Sequence, residues 1–149
     1  MATIRLPTDF KEFLQLLKKH EVKYLRVGGY AVGYHGYPRA TLDMDVWVDR
    51  SPENARNLVV VLKEFGFDVA DLKETLFTVE NRVIRMGMPP IRIEILTGLS
   101  GVEFDVCYAN RIVDTLDDID INFIDLFHLK KNKRAAGRYR DLDDLENLP

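Results

Sequence analysis

Two aspartates one residue apart, Asp43 and Asp45 in LDMDVWV, and a glutamate inside an apolar run, Glu94 in IRIEIL, are the side chains of this 149-residue chain best suited to do chemistry. On an extended strand, residues i and i+2 project from the same face, roughly 6–7 Å apart. Asp43 and Asp45 therefore point together. On a partly buried face they repel, and one is driven towards protonation. A divalent cation removes that conflict. Mg²⁺ (or Mn²⁺) takes oxygen ligands, typically one or two carboxylates completed by substrate phosphate and water. A pair of such ions stabilises the attacking and leaving oxygens of phosphoryl transfer. That arrangement needs a further carboxylate from a neighbouring strand. Glu94 suits it, because an ionisable group within an apolar strand requires a partner. Glu103 and Asp105 in VEFDV form a rival i, i+2 pair, ranked lower because no glycine turn precedes them.

That turn is VGGYAV. Gly28 and Gly29 sit where a strand gives way to a helix. Glycine there permits φ > 0 and lets backbone come close to a ligand, and the following helix offers free N–H groups to an anion. Each signal alone has a plain alternative. A glycine pair is often an ordinary tight turn, and a D-x-D is often a solvated edge strand.

The elements that must position these residues follow from periodicity. LPTDFKEFLQLLKKH reads as a helix capped by Thr8 or Asp9, with Phe10, Phe13, Leu14 and Leu17 as its apolar stripe. VKYLRV is a short strand, and YAVGYHG a short helix stopped near Gly36 and Pro38. In LDMDVWV, alternation sets Asp43, Asp45 and Trp47 on one face and Met44, Val46 and Val48 on the other. SPENARNLVVVLKEFG is a helix with Ser51 as N-cap, Pro52 in the first turn and Gly66 at its end. Strands are expected around 76–79, 82–86 and 91–96, with another at EFDVCYA (103–109). From about residue 122 the pattern turns helical, with Asn122 as cap. A last helix would use Leu142, Leu145 and Leu148. The predicted class is α/β, one mixed sheet flanked by helices, in a single domain over 1–149.

Composition agrees. Hydrophobic residues make up 46% and charged residues 30%, enough for a packed core, and a chain of this size buries roughly 70% of its unfolded surface. The lone cysteine, Cys107, excludes an internal disulfide, and no apolar run approaches a membrane span. The N-terminus lacks a secretory pattern. A cytoplasmic location with no membrane partner is expected. A net charge of −3 argues against a generic polycation, although LKKNKRAAGRYR concentrates six basic residues. That stretch is either a solvated surface or an RNA-binding strip.

Taken in order, strand–Gly28–Gly29–helix, then Arg39-Ala40-Thr41-Leu42-Asp43-Met44-Asp45, then Glu94, resemble the DNA polymerase β-like nucleotidyltransferase superfamily. The form GGYAV…HG…RATLDMDV is most similar to its minimal bacterial and archaeal members, including the toxin-like AbiEii group. NKRAAGRYRDLDDLENL resembles their basic-then-acidic tail. The resemblance implies a nucleotidyltransferase fold and Mg²⁺ (or Mn²⁺) held by Asp43, Asp45 and Glu94. It implies an NTP bound by Gly28, Gly29, Arg39, Thr41, Lys133 and Arg138, with Lys133 foremost in the tail. The expected reaction moves a nucleoside monophosphate to an acceptor hydroxyl on RNA, protein or a small molecule. The alternative is a nucleotide-binding module without independent activity, part of a toxin–antitoxin pair. An antitoxin or a second copy of the chain is the partner such a group admits. Two positions depart from the pattern: Gly29 stands where many members have serine, and Glu94 where close relatives often have aspartate. His35, and one of Tyr30, Tyr34 and Tyr37, are further candidates to line the pocket.

Overall fold

The computed structural model describes residues 6–37, 43–67, 70–88 and 91–149. Helix α1 (Thr8–Lys19) forms where the apolar stripe demands it, burying Phe10, Phe13, Leu14 and Leu17. The residue at its N-cap is Pro7, and no side chain caps it, so the expected Thr8 or Asp9 cap is corrected. Strand β1 (Tyr24–Val27) is buried throughout and passes directly into helix α2 (Gly28–Tyr34). The two glycines are thus the first turn of that helix, two residues ahead of its expected start. Strand β2 (Asp43–Val48) leads to helix α3 (Pro52–Phe65). Here the Ser51 side chain accepts from the Asn54 N–H, Pro52 opens the helix, and Gly66 closes it in the left-handed region, all as the sequence indicates.

Next come a 3₁₀ turn (Glu74–Phe77), β3 (Val83–Met88), β4 (Ile91–Leu96), α4 (Phe104–Ala109), β5 (Ile112–Leu116), β6 (Ile119–Phe123), α5 (Leu126–Ala136) and α6 (Tyr139–Asn147). The sheet order is β3-β4-β2-β1-β6-β5. β2 pairs parallel with β4 and β1 parallel with β6, while β1/β2, β3/β4 and β5/β6 are antiparallel. The sheet is therefore mixed, as expected from consecutive strands late in the chain.

One sheet face buries Met44, Val46, Val48, Ile93 and Ile95 against α1 and α3. Fully buried side chains such as Phe13, Leu17 and Leu58 each stabilise the fold by about 1.5–3 kcal/mol. The opposite face packs Leu25, Val27 and Trp47 against Cys107 of α4, Leu129 of α5 and Leu148. The functional candidates lie on this second face.

Three expectations are corrected. The segment around 76–79 is a 3₁₀ turn rather than a strand, with Phe77 buried. Within 103–109, Phe104–Ala109 form α4 with Glu103 at the N-cap, because the apolar spacing that buries Cys107 also fits a short helix. Glu103 and Asp105 are then no strand pair. DTLDDID is a hairpin: Asp117 and Asp118 both take positive φ (50° and 66°) and join β5 to β6. Two-residue turns of that kind match the strand twist. Asn122 accordingly lies in β6, and Asp125 caps α5 by accepting from the His128 N–H.

Candidate functional site

Register brings the predicted carboxylates together. Asp45 of β2 stands opposite Glu94 of β4, and Arg85 of β3 stands opposite Glu94 on the other side. The next row reads Asp43, Arg92, Gly87. On β1, Val27 neighbours Asp45 and leads into Gly28. Parity places all these residues on the face shared with Trp47. Asp43, Asp45 and Glu94 therefore occupy one patch, as expected.

Arginines that the sequence reading passed over complete the patch. Arg85 Nε donates to Glu94 Oε1 at 2.9 Å, and Arg92 Nε donates to Asp43 Oδ1 at 3.0 Å. Their cross-strand positions were visible only once the register was known. Both are the short-period neighbours of carboxylates on a strand face, where opposite charges pair.

Asp45 is different. It is half-buried, and no N–H or hydroxyl donor among the described residues reaches its buried Oδ1. Burial pushes its carboxyl up to about 7, reinforced by the hydrogen bond with Glu94 and by the charges of Glu94 and Asp43; Lys133 opposes them. Glu94 moves the other way. Burial disfavours its charge, but hydrogen bonds from Arg85 and Asp45 hold it below the ordinary value. The pair thus shares a proton, carried by Asp45.

Gly28 makes this possible. Its φ is +67°, and a Cβ there would collide with Asp45 Oδ2. Glycine is required for the close approach of the Asp45 carboxylate to backbone, an approach made by protein as much as by any ligand. Gly29 is buried behind it.

A cavity of about 440 Å³ opens on the patch, with Gly28, Asp45 and Glu94 on one wall and Arg85, Lys133, Arg138 and Arg140 on others. The tail residues differ in freedom. Lys133 is 4% exposed and clamped between Asp141 Oδ1 (3.2 Å) and Asp144 Oδ2 (3.0 Å), both buried. Arg138 Nε bonds Asp141 Oδ2 at 2.7 Å while its side chain stays largely exposed. Asp141 also accepts the Arg138 backbone N–H, closing the start of α6. The buried face of α6 is therefore acidic, whereas Leu142 is exposed, correcting the expected leucine stripe. The basic stretch is not one solvated strip, because Lys133 is interior and Lys130 donates to the Pro149 carbonyl.

Arg39 and Thr41 lie outside the described residues. His35 Nε2 lies 2.7 Å from the Ile124 carbonyl oxygen, Tyr34 donates to Asp114, and Tyr37 donates to Asp143. Tyr30 stacks on the Arg26 guanidinium at 4.1 Å. None of these four lines the cavity. A second cavity of about 850 Å³ adjoins the first and shares Gly98, Leu99 and Ser100 with it.

The donor set fits a hard cation: oxygens, a buried Oδ1 without a donor, and a proton that an ion would displace. Among the described residues no three groups are clustered closely enough to cage an ion alone. Phosphate and water would have to complete its shell, as is usual for Mg²⁺.

No family model and no curated protein matches this sequence. A solved structure from Thermotoga maritima, described as a "putative nucleotidyltransferase", is similar over 92% of this chain and 88% of its own, with a TM-score of 0.61 and 14% identity. The likeness is one of fold, and the mixed α/β sheet found here is a nucleotidyltransferase fold. Among the described residues no helix is long and apolar enough to cross a membrane.

Proposed function

We propose that this chain is a Mg²⁺-dependent nucleotidyltransferase that moves a nucleoside monophosphate from an NTP to an acceptor hydroxyl. The observation that carries the reading is the Asp45–Glu94 pair, with Asp45 Oδ1 lacking a donor, facing a cavity whose cations, Arg85, Lys133, Arg138 and Arg140, outnumber its carboxylates. Such a cavity suits a polyanion bound together with a cation. Asp43, Asp45 and Glu94 would hold the metal, which when bound supplies charge neutralisation at the phosphates. Arg138 and Arg140 would bind the triphosphate. Lys133 acts beneath them, fixing α5 to α6 and lending positive potential to Asp45. The acceptor hydroxyl would enter from the larger adjoining cavity and attack the α-phosphorus. The new O–P bond forms as the bond to pyrophosphate breaks, and Glu94, held ionised, takes the hydroxyl proton. The protein's contribution is positioning and charge stabilisation.

The tail supports the finer assignment to the toxin-like AbiEii type. Its basic-then-acidic order is what lets Lys133 and Arg138 lock onto Asp141 and Asp144. RNA, protein and small molecules are the acceptor classes to screen, and an antitoxin is the partner this type would have in the cytoplasm. Incubation with α-labelled NTPs and Mg²⁺ should label an acceptor with the wild type and not with Asp45→Asn. Equal labelling by both would refute the assignment. A second reading, a nucleotide-binding module, is favoured by the arginine pairs that occupy Asp43 and Glu94. It predicts NTP binding that depends on Asp45 with no transfer to any acceptor.

A further inference from the structure

Arg85 and Arg92 are the two charged groups of the patch that the proposed reaction does not use. Both are aimed at the carboxylates a metal would need. Their ion pairs are easily broken: the Arg85 side chain is 64% exposed and that of Arg92 37%. Pairs with so exposed an arginine contribute little to stability. Each carboxylate is engaged by Nε, on the side of the guanidinium, and Arg85 also lines the cavity itself. Beside Arg92, Gly87 presents no side chain to hold it in place. A guanidinium pairs with phosphate at least as well as with carboxylate, often through two parallel hydrogen bonds.

We propose that Arg85 and Arg92 are exchangeable counter-ions, which neutralise Glu94 and Asp43 in the empty site and transfer to the triphosphate when the metal–nucleotide complex binds. This rests on the nucleotidyltransferase reading and adds an order to it. Metal alone must displace the arginines and binds weakly. Metal with a polyphosphate gives them a new partner, so the two ligands bind with positive coupling. The arrangement keeps the patch neutral without a metal and discourages nonproductive ions.

The test uses two base-free probes, Mn²⁺ alone followed by spin resonance, and Mn²⁺–tripolyphosphate followed by calorimetry. Arg85→Gln and Arg92→Gln should each bind Mn²⁺ alone about three- to fivefold more tightly than wild type and Mn²⁺–tripolyphosphate about three- to fivefold more weakly. The opposite signs are the signature, since a merely structural arginine would weaken both or neither. Tighter Mn²⁺ binding with unaltered tripolyphosphate binding would reduce the arginines to electrostatic screens and overturn the transfer. Unaltered or weaker Mn²⁺ binding would overturn the competition. Asp45→Asn separates the two levels of the argument. If it retains wild-type Mn²⁺ binding, the metal site itself is misplaced. If it loses binding while the arginine variants behave as wild type, only the exchange fails.

Discussion

Asp45 carries a conflict that other residues are arranged around. Its carboxyl is held up at about 7 by burial, by the hydrogen bond with Glu94 and by neighbouring charge, against an ordinary value of 3.8. The folded chain therefore keeps a proton between about pH 4 and 7 that the unfolded chain has released. Stability falls as pH rises through that window. A shift of this size is worth at most about 4 kcal/mol, and less in practice because Glu94, held low, gains part of what Asp45 loses. Asp45→Asn removes the conflict and should raise the melting temperature of the metal-free protein by about 5 °C at pH 8, with almost no gain at pH 4. Thermal melts in chelator at the two pH values decide it; an equal gain at both would remove the shared proton from the account. The same variant should bind no metal, so stability and function are opposed at this side chain. Gly28→Ala tests its companion. It strains a positive φ and displaces the Asp45 carboxylate, so denaturation should show a loss of more than about 1 kcal/mol together with lost Mn²⁺ binding. An alanine variant as stable as wild type would contradict the close approach.

Among the elements, α5 and α6 depend on Lys133. Removing it, as in Lys133→Met, takes away the buried cation that bonds both Asp141 and Asp144, and breaking a buried pair of this kind costs about 3–5 kcal/mol. Arg140→Gln, at an exposed position on the cavity wall, should change stability by less than about 0.5 kcal/mol while weakening nucleotide binding. Urea denaturation of the two variants side by side checks both, and a mild Lys133→Met would show that α6 is held by other contacts. These elements also mark what sequence could and could not convey. β2, α3 and β4 were legible because each carries a clean period or a paired cap, and β2 with β4 bears the whole acidic site. The β5–β6 hairpin was hidden because its turn is Asp-Asp instead of a glycine turn. α4 was hidden because a six-residue element satisfies strand and helix patterns alike. The interior position of Lys133 was not legible, since burial of a lysine depends on two aspartates one turn apart in another helix.

For the molecule as a whole, the sheet order explains why the site lies where it does. β2 and β4 are parallel neighbours near the centre, and their shared acidic end faces a cavity walled by the last turns of α5 and the start of α6. Fold class and the carboxylate patch could be read from alternation and motif order. The counter-charges Arg85 and Arg92 could not, because cross-strand register is not written in any local pattern. The central claim is that Asp43, Asp45 and Glu94 share a cation beneath a triphosphate. It is tested most directly by a crystal grown with Mn²⁺ and a nonhydrolysable NTP analogue, read by the anomalous signal of manganese. The expected result is manganese ligated by Asp45 with Asp43 or Glu94, and phosphates extending towards Gly28, Arg138 and Arg140. Nucleotide bound elsewhere, or phosphates in the cavity with no manganese at these carboxylates, would contradict it.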